Sequence, residues 1–118
     1  MSIEQLKART HLFALSTIRL VNDLRKDSST RIIADQLLRA GTSVGANYRA
    51  ACLAKSRADF ISKMKIVEEE CDESLYWMEL LGEFGQGPTK AVHTLRREAK
   101  EILSIVVASI KTARLNSK

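Results

Sequence analysis

The feature that most limits what this chain can become is the spacing of its apolar residues between positions 56 and 83. Phe60, Met64, Val67, Cys71, Ser74, Leu75, Met78 and Leu81 recur at intervals of three and four, which places them on one stripe of an α-helix. Three further segments carry the same period. Leu6, Phe13, Thr17, Leu20 and Leu24 predict a helix over about 3–25, with Ala14, Ile18 and Val21 on the neighbouring ridge. Ile33, Leu37, Ala40, Val44 and Tyr48 predict a second over about 29–53. Leu95, Ala99, Ile102, Val106 and Ile110 predict a fourth over about 88–114. Four helices of this length, each about 35–40 Å long at 1.5 Å per residue and joined by short connections, pack most economically as an antiparallel up-down bundle. The expectation is therefore an all-α fold, with residues 1–118 forming one domain. The β-branched run "SIVVAS" keeps the helical phase of the preceding residues, so it is assigned to the fourth helix.

The breaks between helices have recognisable chemistry. "KDSST" supplies turn formers and N-cap candidates, since a Ser or Thr hydroxyl can accept a bond from an amide of the first turn. "SRAD" at 56–59 fits the Ser-x-x-acid pattern of a helix start, although Asp is shorter than the Glu the pattern prefers. "GEFGQGPTK" interrupts the third helix with three glycines, and Pro88 fits the first turn of the fourth, where no amide hydrogen is needed.

The stretch "RAGTSVGAN", residues 39–47, raises the question of a ligand loop. A phosphate loop needs G-x-x-x-x-G-K-[ST]; here the glycines are one residue too close and Ala46-Asn47 follow the second. The G-x-G-x-x-G dinucleotide pattern is also missing. Gly41 and Gly45 instead share one helical face, between Ala34 and Cys52. Each costs a helix about 1 kcal/mol relative to Ala, so the expectation is a thinned face that a neighbouring helix approaches closely. Gly41, Gly45 and Asn47 are the candidate packing residues of this stretch.

Catalysis finds little support. His11 and His93 are the only histidines, and neither follows a Glu by three positions as a di-metal carboxylate bundle requires. Two histidines far apart in helical segments do not suggest a base for a Ser or Cys nucleophile. Cys52 and Cys71 lack CxxC spacing and read as small buried hydrophobes. No catalytic residue, metal or cofactor is expected, and the chain reads as a non-enzyme. The first residues lack a signal-peptide apolar core, and the longest apolar run, "ILSIVVASI", is about half a membrane span, so a soluble cytoplasmic protein with no membrane partner is expected.

Charge carries more information. The chain has 19 Lys and Arg against 14 Asp and Glu, a net of +5. Seven of the acids (Glu68, Glu69, Glu70, Asp72, Glu73, Glu79 and Glu83) fall between Ile66 and Glu83, a segment without Lys or Arg. The remainder carries 19 basic against 14 − 7 = 7 acidic residues, a net of +12. Such a two-sided field steers partners. His93, Arg96, Arg97, Lys100, Lys111, Arg114 and Lys118 follow one side of the fourth helix. Arg49, Lys55, Arg57, Lys63 and Lys65 cluster at the junction of the second and third. Both sets are candidates for nucleic-acid phosphates, and an ordinary solvated face is the alternative. Few aromatic residues (5%) argue against recognition of single strands by base stacking. A second reading is a protein-interaction scaffold that uses the acidic face of the third helix without binding nucleic acid.

Residues 36–81 add a resemblance. Ser43-Val44-Gly45-Ala46-Asn47, Ser56 to Phe60 and the acidic stretch Glu68 to Leu81 resemble the bacterial four-helix-bundle family named for 23S ribosomal RNA intervening sequences, which also takes in the accessory variability determinant proteins of diversity-generating retroelements. The resemblance implies an up-down bundle assembled as a homo-oligomer, a ring-like pentamer. It also implies a basic surface that contacts structured RNA or a reverse transcriptase. Many relatives continue after the Asn with Ile-x-Glu-Gly, where this chain has Tyr48-Arg49-Ala50-Ala51. The sequence gives its own hint of assembly, because the second helix has two apolar stripes and the fourth is apolar nearly all round at Leu103, Ile105, Val106, Val107 and Ile110.

Overall fold

A computed structural model describes residues 1–25, 27–84 and 89–116. They form four α-helices, α1 (Ile3–Asp23), α2 (Ser28–Cys52), α3 (Arg57–Phe84) and α4 (Thr89–Leu115), in an elongated bundle of 51 × 21 × 21 Å. Each helix packs against two others in a closed cycle: α1 on α2, α2 on α3, α3 on α4, and α4 back on α1. The α2–α3 interface is the most extensive and the α1–α4 seam the slightest. This is the all-α up-down four-helix bundle that the apolar periodicity predicts.

Local chemistry sets the helix starts. Ser2 opens α1 with a reciprocal cap: its hydroxyl accepts from the Gln5 amide at 3.1 Å, and Gln5 Oε1 accepts from the Ser2 amide at 2.8 Å. At α2 the cap is the Asp27 carboxylate, which accepts from the Thr30 amide at 2.9 Å, so the helix begins at Ser28 and the capping side chain is Asp27 and not a Ser or Thr. That bond lowers the Asp27 pKa, with a smaller contribution from Arg25. At α3 the Ser56 hydroxyl accepts from the Asp59 amide at 3.1 Å. The shorter Asp side chain reaches the Lys55 amide, also at 3.1 Å, in place of the Ser56 amide that a Glu would take. α1 stops at Asp23, two residues earlier than the period suggests; Leu24 turns extended but keeps its side chain in the core. Gly82 and Phe84 remain helical, and the expected Pro88 start of α4 lies outside the described residues.

The core runs the length of the bundle through Phe13, Leu37, Val44, Met64, Met78, Leu81 and Ile102. Two threonines of α1 are buried with them, and each hydroxyl donates back along its own helix, Thr10 to the Leu6 carbonyl at 2.9 Å and Thr17 to that of Phe13 at 2.8 Å. These threonines face the glycines of α2. A β-carbon on Gly41 would stand 2.7 Å from Thr17 Cγ2 and Oγ1, and one on Gly45 would stand 3.3 Å from the Thr10 carbonyl oxygen and hydroxyl. "RAGTSVGAN" is therefore the interior of α2, where the missing side chains let α1 come close. Asn47, half-buried, donates to the Ser43 carbonyl of its own helix at 2.8 Å.

Candidate nucleic-acid interface

In an up-down bundle the end of α2, the start of α3 and the end of α4 meet at one pole. One side chain ties them together: the Arg57 guanidinium at the start of α3 donates to the Asn116 carbonyl just past α4. Arg49 lies in the last turn of α2 and Arg114 in the last turn of α4, where a cation complements the negative end of the helix dipole. Lys55 and Lys111 are exposed beside them. Arg49, Lys55, Arg57, Lys111 and Arg114 thus gather at one pole, although more than 60 positions separate Arg49 from Lys111.

Lys63 and Lys65 differ from that group. Lys63 Nζ bonds Asp59 at 2.6 Å, one turn back on α3, and Lys65 Nζ bonds Glu68 at 3.2 Å. Both neutralise their own helix. The Asp59 pKa is lowered, chiefly by the Lys63 hydrogen bond.

Further along α4, Arg97 and Lys100 are exposed. His93 and Arg96 turn toward the end of α3, where with Gly82 and Glu83 they line a small cleft. Arg96 is half-buried, and its Nε is fully enclosed without a hydrogen-bond partner. Its guanidinium lies close enough to Gly82 that a β-carbon there would be 3.8 Å from Nη1. Of the three arginine and lysine residues at 96–100, Arg96 is therefore the one committed to packing. Lys118 lies outside the described residues.

The acidic segment is partly answered within the chain. Arg39 on α2 reaches across to α3 and bonds Glu70 at 2.9 Å and Glu73 at 2.5 Å. Glu73 also accepts from Trp77 Nε1 at 3.2 Å, and the Arg39 bond, with help from Trp77, lowers its pKa. Glu69, Asp72, Glu79 and Glu83 are exposed on α3. On the other side of the bundle, Arg9 of α1 holds Glu98 of α4 through two bonds of 2.7 Å and Glu101 through one of 3.1 Å. Neither Arg39 nor Arg9 stands out in the linear charge pattern, because their partners are 31 or more positions away.

The two cysteines are free. Cys71 is buried with its Sγ 3.2 Å from the Ala99 carbonyl, and burial, assisted by Asp72, pushes its thiol up to about 12. Among the described residues, no cluster of three or more His, Cys, Asp or Glu side chains could hold a metal, and no helix is long and apolar enough to cross a membrane.

Comparison with known proteins agrees with this architecture. No protein of curated function matches the chain. A protein of unknown function from the S23 ribosomal protein family of Bacteroides thetaiotaomicron, known from its crystal structure, is 34% identical; the match covers 90% of this chain and 98% of that one, with a TM-score of 0.84. The model of the 23S rRNA-intervening sequence protein family matches residues 5–108. A match of that extent, on a chain with the same bundle as its solved relative, makes this protein a member of the 23S rRNA-intervening sequence protein family.

Proposed function

We propose that this chain is a non-enzymatic, homo-oligomeric accessory protein that binds structured RNA, alone or within a nucleoprotein, through its basic pole and the exposed cations of α4. The observation that carries this reading is the Arg57 bond to the Asn116 carbonyl, which draws the cations of the α2–α3 junction and the end of α4 to one place. Several Lys and Arg side chains at one pole can neutralise several phosphates together, giving affinity that falls steeply with salt. Rigid helices hold the cations at fixed separations, which suits a folded RNA more than a flexible strand, and few aromatic side chains are available for stacking. The pentameric ring implied by the family resemblance would repeat that pole around an axis and multiply weak contacts.

The test is binding of a structured RNA measured against salt concentration. Changing Arg49, Lys55 and Lys111 to Glu together should weaken binding at least tenfold and flatten the salt slope while the helical signal is kept. Arg97→Glu with Lys100→Glu forms a second arm and should have a smaller effect. Arg57 and Arg96 are left intact because both make intramolecular contacts. Unchanged affinity in both arms would remove the basic surfaces as the RNA site. If wild-type protein ignores RNA at physiological salt and a protein co-purifies instead, the acidic α3 face carrying Glu69, Asp72, Glu79 and Glu83 becomes the interface, as in the scaffold reading.

A further inference from the structure

The slight α1–α4 seam opens, toward the end of α1 and the start of α4, into a groove of about 720 Å³. Its walls are mainly apolar, with Leu12, Phe13, Leu20 and Leu95 contributing. It stays open because the residues facing one another above the Arg9–Glu98 clasp include the small Ser16, Ala91 and Thr94, which do not meet across the gap. Leu12 is left 60% exposed on the wall. The lips carry Arg19 and Lys90, with Asp23 at the outer end.

A second apolar surface lies at the same end of the bundle, on the opposite edge formed by α2 and α3. There Phe84, 54% exposed, lies with Ile33 and Leu80, and Ile32, the chain neighbour of Ile33 and one turn after Ser29 on α2, is 65% exposed. Its charged border is Glu83, with Glu79 one turn earlier on α3. One edge of the bundle is thus an apolar groove lined by Arg19 and Lys90 and also by Asp23 and Glu98, of which Glu98 is already paired with Arg9, so that two cations stand against one unpaired carboxylate; the other is an apolar strip bordered by carboxylates. The groove offers no buried polar side chains converging on a small ligand.

We propose that the α1–α4 groove receives the Ile32–Phe84 strip of a second copy of this chain, with Arg19 and Lys90 facing Glu83 and Glu79. Each copy then donates one surface and accepts the other, a heterologous contact that propagates around a closed ring. This locates the interface of the homo-oligomer in the reading above and rests on that part of it. The contact surfaces are at the end away from the basic pole, so assembly leaves that pole free.

The experiment measures mass in solution by light scattering, with circular dichroism to confirm helical content. Wild-type protein is expected to be an oligomer, and Leu12→Arg and Ile32→Arg, both at exposed positions, are each expected to be monomers. Mixed together, the two variants should form a one-to-one dimer and stop there, because Leu12→Arg retains a working strip and Ile32→Arg a working groove. As a second pair, Lys90→Glu and Glu83→Lys should each weaken assembly, and combining them in one chain should restore it. A monomeric wild type would overturn both the oligomeric reading and this interface. An oligomeric wild type whose mass all these variants leave unchanged would overturn the interface alone and place the groove's occupant elsewhere. Monomeric variants that fail to pair when mixed would overturn the groove-to-strip contact in favour of a self-complementary one. RNA binding retained by a monomeric variant separates this proposal from the basic-pole reading.

Discussion

Gly41 and Thr17 occupy a space that admits only one of their side chains. Thr17 fills it, with its hydroxyl bonded to the Phe13 carbonyl, and a β-carbon on Gly41 would stand 2.7 Å from two of its atoms. The other helical glycines meet progressively looser surroundings: 3.3 Å at Gly45 and 3.8 Å at Gly82. Replacing Gly by Ala gains a helix about 1 kcal/mol, whereas overpacking a core costs about 1–3 kcal/mol. Gly41→Ala should therefore destabilise the protein, by up to about 2 kcal/mol, Gly45→Ala should come within about 0.5 kcal/mol of neutral, and Gly82→Ala should stabilise by about 0.5–1 kcal/mol. Urea denaturation of the three variants measures the order, and a Gly41→Ala protein as stable as wild type would contradict the close approach of α1.

The Arg9–Glu98 pair is bidentate and about three-quarters covered, so it belongs at the upper end of surface ion pairs. A double-mutant cycle between Arg9→Ala and Glu98→Ala should give a coupling of about 1 kcal/mol. The same cycle with Glu101, whose side chain is 67% exposed, should give close to zero. Equal couplings would show that the clasp is a diffuse charge effect.

Burial holds Cys71 and Tyr48 protonated. The thiol is pushed up to about 12, and the Tyr48 phenol is raised above its ordinary value, chiefly by burial and then by its hydrogen bond with Cys52. Unfolding returns them to their ordinary values of 9.0 and 10.0. Above those values the unfolded chain binds fewer protons than the folded one, so their contribution is complete at lower pH and is lost as pH rises, up to about 12 for Cys71. Urea midpoints should fall between pH 8 and pH 10.5, and the drop should shrink in a Tyr48→Phe, Cys71→Ala double variant. At pH 8 the folded protein should also expose only Cys52 to a thiol reagent, with Cys71 reacting once denaturant is added.

The helices and most of their limits can be read from the sequence because burial of one stripe per helix and the chemistry of the caps are local. The placement of Gly41 and Gly45 on a packed face follows from the same phase. Charge is less legible. The run Glu68 to Glu73 looks like a free acidic surface until α2 lies beside it and Arg39 takes Glu70 and Glu73. Arg96 looks like one more surface cation until the end of α3 covers it. The α1–α4 groove had no linear signal either, since it arises where the small Ser16 of α1 falls opposite Ala91 and Thr94 of α4 and leaves a gap. Which charges and gaps matter depends on which helices become neighbours, a long-range outcome that no window of sequence contains.

The unequal seams also set an order of opening. α2 and α3 are consecutive and share the broadest interface, whereas the first and last helices join across 89 positions through the slightest one, held by Arg9 and Glu98. Closing that contact carries the largest chain-entropy cost for the least burial, so it forms late in folding and separates early in unfolding. Amide exchange should accordingly protect the central turns of α2 and α3 longest, with the facing turns of α1 and α4 exchanging through a partial opening that leaves the middle hairpin intact.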